Sequence, residues 1–184
     1  MVGAHVHLHS KEDYARVGSE RLGAALADRL RQEGRRPYFI PVGGSNALGL
    51  WGYVQSVAEM EGDIRELGIT DVAAACGSGA TLGGLALGSH LAGLGCRVSA
   101  YGVCDDEDYF YDFVDGLFRG AGADVGPSRA LMRCVQAKGL GYAMSAEDEL
   151  CTIRDVALAT GETTDCVPIT GCCAREALAL HRVC

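Results

Sequence analysis

Hydrophobic positions along the chain switch between two periods. "GAHVHLHS" (3–10) sets Val6 and Leu8 between His5, His7 and His9, the period-2 pattern of a strand. Residues 11–33 then carry Val17, Leu22, Leu26 and Leu30 at helical spacing among charges, with Gly34 as the stop, and predict one amphipathic helix covering a core. "PYFIPV" (37–42) reads as a short buried strand, "GGSN" (43–46) as a turn and 47–61 as a helix. The cycle repeats with a strand at 71–76, a loop at 77–80, a helix at 81–94 and a strand at 96–103. A further helix opens at the acidic run 105–108 and continues through "YFYDFVDGLF". The last spans 145–160, with Ser145 as N-cap and Leu150, Ile153, Val156 and Ala157 as its apolar stripe up to Gly161. Strands alternating with helices predict an α/β fold, a three-layer α/β/α arrangement with a mostly parallel sheet.

Composition narrows the partners. At 184 residues and 48% hydrophobic content the chain suits one core. A net charge of −8 with two lysines, Lys11 and Lys138, argues against nucleic acid or an anionic membrane surface. Nine cysteines in an odd total, with no signal peptide and no C-x-x-C pair, read as reduced structural thiols rather than disulfides or zinc ligands. The three histidines at 5–9 could bind a metal, but an exposed polar strand face is the simpler reading, and no metal site is expected. The consecutive acids at 105–108 are better placed to start a helix than to converge on a cation. Residues 72–96 lack any Asp, Glu, Lys or Arg, yet hold seven glycines, so a strand–loop–helix unit accounts for them better than a membrane span.

The candidate chemistry lies in "CGSGATLGG" (76–84). Glycines let a backbone turn sharply and present its N–H groups, Ser78 and Thr81 add hydroxyl donors, and the following helix offers its positive end. No Gly-Lys-Ser/Thr follows, so a nucleoside triphosphate is not the natural guest; a compact dianionic phosphate is. A dinucleotide remains an alternative, because Gly77 and Gly79 begin G-x-G-x-x-G and Asp105 or Asp106 lies after the next strand. However, position 82 is Leu, with Gly83 and Gly84 behind it. A plain tight turn is the third reading.

Four segments carry a wider likeness: "RRPYFIPVGGSNALGLWGYVQSVAEM" (35–60), "VAAACGSGATLGGLALGSHLAG" (72–93), "SAYGVCDDEDYFYDFVDGLF" (99–118) and "AKGLGYAMSAEDEL" (137–150). In matching order over 3–161, the chain resembles the D-cysteine desulfhydrase and 1-aminocyclopropane-1-carboxylate deaminase family, nearest to its plant-type desulfhydrases. The resemblance implies the fold of the tryptophan synthase β subunit and the cofactor pyridoxal 5′-phosphate. It implies that Gly77, Ser78, Gly79, Ala80 and Thr81 bind the cofactor's phosphate, with Ala80 where close relatives carry Gly. It places Gly44, Ser45 and Asn46 near the substrate pocket and makes Tyr142 a catalytic tyrosine. It also implies a small amino-acid substrate, a possible homodimer and an intracellular setting, cytoplasmic by default, with an organelle open.

The departures are as informative. The family's cofactor lysine sits in a "GNK"-like segment followed by "SNH"; neither occurs here, and Lys11 and Lys138 do not match it. Where the family reads "DPVYTGK", this chain reads "DCVPITGC" (165–172), and no "HTGG" stretch follows. The expectation is therefore a partial enzyme domain over 1–161, incomplete at both ends and inactive alone, with a divergent Cys-rich tail over 162–184. A non-catalytic or dimerisation module that keeps the phosphate loop is the alternative.

Overall fold

The computed structural model describes residues 3–142 and 144–161, so the proposed tail at 162–184 lies outside the described residues. The chain divides into two compact units, 1–44 and 45–184.

In the first unit the pattern at 11–33 forms two helices, α1 (Lys11–Val17) and α2 (Ser19–Gln32). The break is at Gly18, whose φ of 83° is incompatible with a continuing helix. Ser10 starts α1, its hydroxyl accepting from the Asp13 N–H at 3.0 Å. Two expected strands are absent: 5–9 and 37–41 are irregular, and Val42–Gly44 is a single 3-10 turn. Apolar alternation alone does not make a strand without a neighbour to share its N–H and C=O groups. Instead, Val6 and Leu8 line a groove with Leu22 and Leu26, and the Phe39 ring lies against the bare face of Gly23.

The second unit holds the core. It runs α3 (Ala47–Glu66), β1 (Asp71–Cys76), α4 (Ala80–Leu91), β2 (Arg97–Gly102), α5 (Glu107–Gly120), β3 (Met132–Gln136) and α6 (Glu147–Thr160). The strands form a parallel sheet in the order β1-β2-β3, with Cys76 opposite Gly102 and Gly102 opposite Gln136. Two successive crossovers in one direction, right-handed as such connections are, put α4 and α5 on the same face. There Leu82, Leu87, Phe110 and Val114, all essentially inaccessible, pack with Val98, Ala100, Met132 and Cys134 of the sheet. Each such side chain contributes about 1.5–3 kcal/mol by leaving water. Ser99 and Tyr101 point to the opposite face and are 5% and 4% exposed, so that face is covered too.

The long charge-free stretch at 72–96 resolves into β1, a loop and α4, and among the described residues no helix is long and apolar enough to cross a membrane. Its glycines let α3 lie close to α4: a Cβ at Gly84 would stand 2.4 Å from Tyr53 Cβ and 2.7 Å from the Leu50 carbonyl oxygen. β3 is an element the sequence pattern did not reveal. Its outward backbone donors are met by side chains from α5, with Cys134 N–H bonding Tyr111 Oη at 2.7 Å and Gln136 N–H bonding Glu107 Oε1 at 3.1 Å. α6 begins two residues later than expected and is not capped by Ser145. Ala146 is its N-cap residue, and Glu149 Oε2 reaches back to accept from the Ala146 N–H at 2.8 Å.

Candidate functional site

Parallel strands in register send all their exits to one edge, and in open α/β sheets that carboxyl edge is where ligands bind. Three segments leave it here: 77–79 after β1, 103–106 after β2 and 137–146 after β3.

The first is the candidate phosphate loop. Gly79 is the N-cap of α4 at φ 93°, ψ −33°, a conformation that disfavours any side chain, and an added Cβ would lie 2.9 Å from Phe113 Cδ1. Gly79 is buried and Ser78 and Thr81 are half-buried. Ala80 is the first residue of α4, in helical backbone that any residue adopts, so the change from Gly at this position costs the loop nothing. Gly79, the N-cap residue, has no side chain with which to cap α4, and no acid lies in its first turn; the Ala80 N–H is taken by Ser45 Oγ. Apart from that one bond, its positive end meets no capping side chain and no negative charge from its own first turn.

The "GGSN" segment divides in role. Ser45, 9% exposed, accepts the Ala80 N–H on Oγ at 3.2 Å, which ties the start of the second unit to the start of α4. Asn46 caps α3, its Oδ1 accepting from Gly49 N–H at 2.7 Å. Gly44 closes the 3-10 turn of the first unit, its N–H donating to the Pro41 carbonyl at 2.9 Å. Sequence reasoning placed all three near a substrate pocket; in the structure Asn46 is engaged in capping α3 and Ser45 in bonding the first N–H of α4. Tyr142 lies on the segment leaving β3, 57% exposed.

Cys104 is a residue the sequence did not single out. After Val103 N–H bonds the Cys76 carbonyl at 3.1 Å, Cys104 arrives beside the loop, and its Sγ stands 3.0 Å from the Gly77 carbonyl oxygen and 3.2 Å from Asp105 Oδ2. Burial, then the bond to Asp105, pushes its thiol up to about 11. Cys134, under the same sheet face, is pushed up to about 11 by burial and by the charge of Glu107. Both thus remain thiols at neutral pH. Among the described residues no three His, Cys, Asp or Glu side chains gather as a metal site. The acids at 105–108 instead start α5, with Asp106 as its cap.

A mitochondrial bifunctional D-cysteine desulfhydrase/1-aminocyclopropane-1-carboxylate deaminase from Arabidopsis thaliana is 49% identical over 169 residues, 90% of this chain. The chain belongs to the D-cysteine desulfhydrase/1-aminocyclopropane-1-carboxylate deaminase family. A D-cysteine desulfhydrase from Salmonella paratyphi B is 50% identical over 68 residues, 36% of this chain. The crystal structure of a homologue of the family's deaminase superposes with a TM-score of 0.74 at 24% identity, over 97% of this chain and 53% of that one. The fold is thus the three-layer α/β arrangement with a parallel sheet that the strand–helix alternation predicts. No family model matches the chain. The chain spans 42% of the length of the Arabidopsis relative and 21% of the Salmonella one.

Proposed function

We propose that residues 77–81 hold the phosphate of pyridoxal 5′-phosphate and that this chain is part of a family enzyme acting on D-cysteine or 1-aminocyclopropane-1-carboxylate. The observation that carries the reading is the start of α4. It has no capping side chain of its own and no acids, Ser45 Oγ takes only the Ala80 N–H, and Gly79 approaches it in a backbone conformation where a side chain would collide. The residues fit the phosphate end of the cofactor. Backbone N–H groups of the loop and first turn other than Ala80's, which Ser45 holds, and the hydroxyls of Ser78 and Thr81 supply donors, while the helix dipole favours a dianion. When bound, pyridoxal phosphate supplies an electron sink for breaking bonds at the α-carbon of an amino acid. Tyr142, on the exit from β3, is the candidate for holding or moving a proton at its Oη, and Ser45 keeps the loop in place for that work.

The aldehyde end has no matching residue among these 184. The two lysines are Lys11, on α1, and Lys138, after β3, and neither stands in a segment like the family's lysine segment. The reading is therefore of cofactor binding through the phosphate, without efficient turnover by this chain alone. A family enzyme of this kind acts on a small amino acid and pairs with a second copy. A module that keeps the loop and never turns over is the second reading, and it shares the feature at α4.

Titrating the purified chain with pyridoxal phosphate and with pyridoxal, and assaying sulfide release from D-cysteine, tests both readings. The expected result is tighter binding of the phosphorylated form, competition by inorganic phosphate, and no sulfide above that from free cofactor. Equal binding of the two forms sinks the phosphate reading, and rapid sulfide release sinks the claim about turnover.

A further inference from the structure

We propose that Cys104 is a positioning residue for the phosphate loop, its thiol donating to the Gly77 carbonyl so that the loop's first peptide plane is held in one orientation. The inference rests on the reading that 77–81 bind phosphate.

The geometry is that of a loop pinned at both ends. The peptides here are trans and planar, so a carbonyl and the N–H of the next residue point in opposite directions. Holding the Gly77 carbonyl against Cys104 Sγ at 3.0 Å therefore fixes the direction of the Ser78 N–H. At the other end, Ser45 Oγ accepts the Ala80 N–H at 3.2 Å and in the same way fixes the Gly79 carbonyl. Between the two pins lie Ser78 and Gly79, at the mouth of α4.

Cys104 itself is placed by the sheet. β1 and β2 are in register to Cys76 and Gly102, and Val103 N–H continues that pairing onto the Cys76 carbonyl. One residue further on, Gly77 stands opposite Val103, and the Cys104 side chain reaches back to the Gly77 carbonyl. The segment holding Cys104 is anchored from its far side, where Gln136 Nε2 donates to the Asp105 carbonyl at 3.1 Å. Asp105 Oδ2, 3.2 Å from Sγ, competes for the single thiol proton. Burial keeps that proton on the sulfur at neutral pH, so the group facing Gly77 is a donor and not a thiolate. An alanine here would leave the half-exposed Gly77 carbonyl to water, and the Ser78 peptide would sample more than one direction.

The test measures affinity of the full 184-residue chain for pyridoxal phosphate, inorganic phosphate and pyridoxal in wild type, Cys104→Ala and Cys104→Ser, with circular dichroism and thermal melts on each. Cys104→Ala is expected to weaken both phosphate-bearing ligands about fivefold, the scale of one net hydrogen bond, and to leave pyridoxal unchanged. Cys104→Ser, which restores an O–H donor, should return to within about twofold of wild type. Hydrogen exchange at Ser78 should be faster in the alanine variant than in the serine variant. The proposal is overturned if Cys104→Ala keeps wild-type phosphate affinity, or if alanine and serine lose it equally, which would mark the sulfur as packing only. If wild type itself does not distinguish pyridoxal phosphate from pyridoxal, the phosphate reading of the loop falls and this role falls with it.

Discussion

Two helices begin at the same edge of the sheet and use their positive ends in opposite ways. α4 follows β1 through Gly77–Gly79, with a glycine cap at φ 93°, no capping side chain of its own, a single distant hydroxyl (Ser45 Oγ) on the Ala80 N–H, and no acid in its first turn. α5 follows β2 with Asp106 as cap at φ −80°, its carboxylate accepting from Tyr109 N–H at 2.8 Å, and with Glu107 and Asp108 behind it. The topology is identical and the dipole is the same, so the difference lies in the few residues at each turn. α5 takes the Tyr109 N–H on its own cap residue and sets two more acids against its positive end. α4 sets no acid against its positive end, and under the proposed reading that potential serves the bound phosphate. The proposal for α4 therefore rests less on its glycines than on the acids its first turn lacks and that of α5 carries.

The largest effect should come from making α4 resemble α5. Ser78→Asp places a carboxylate at the mouth of α4, where a unit charge some 4 Å from a bound dianion costs up to about 4 kcal/mol per charge at an effective dielectric near 20. Affinity for inorganic phosphate and pyridoxal phosphate should fall at least about 100-fold in calorimetric titrations, while thermal stability holds or rises by a few tenths of a kcal/mol. Unchanged affinity would mean that the phosphate sits elsewhere. Gly79→Asp comes next, although at the cap position of α5 the same residue is the one that works. With φ at 93° and Phe113 Cδ1 2.9 Å from the new Cβ, aspartate cannot cap here without moving the loop. A loss of about 1–3 kcal/mol in urea unfolding, together with weakened phosphate binding, is expected. Asp106→Ala runs the comparison the other way. It should cost about 1 kcal/mol of stability and leave phosphate affinity untouched, because that cap serves α5 alone.

These contrasts also show what was legible from the sequence. "GSGAT" was readable as a loop before a helix because glycine and small hydroxyl residues have few other uses between an apolar strand and an apolar helix. α5 was readable because burial imposes a helical period on it, whereas β2 and α4, buried along nearly their whole length, were readable as apolar runs bounded by turn residues. β3 was not: "MRCVQ" is short, contains an arginine and a glutamine, and owes its pairing to β2 and its outer donors to Tyr111 and Glu107, which are 23 and 29 residues away. The opposite error occurred at 5–9, where alternation was present and a pairing partner was not, and at 37–42, where an apolar run was read as a buried strand but Tyr38, Ile40 and Val42 lie exposed. The site followed the same division. Local residues gave the loop, whereas Ser45, 35 residues from Ala80, and Cys104, 27 residues from Gly77, reach it only through the fold. Asn46 looked like chemistry because it sits in "GGSN", and an asparagine before a helix is also what a cap looks like.

The smallest expected effect probes the space between the two helices. Cys104 lies two residues before the cap of α5, and a thiol beside a helix N-terminus ordinarily ionises more easily. Here it is pushed the other way, to about 11, first by burial and then by Asp105. The local acids have already spent the positive end of α5, which is the property that separates it from α4. At pH 8 about one Cys104 in a thousand is then thiolate, so iodoacetamide should modify the exposed Cys151 well before Cys104 or Cys134. The Cys104 rate should climb about tenfold per pH unit until the pH nears 11, because only the deprotonated form reacts and the raised pKa moves its appearance upward. Asp105→Asn removes the second cause and leaves the first. It should speed Cys104 alkylation at pH 8 only a few-fold, read by peptide mass spectrometry. A rate unchanged by Asp105→Asn would assign the whole shift to burial, and α5 would then differ from α4 by its cap and not by the field around its first turn.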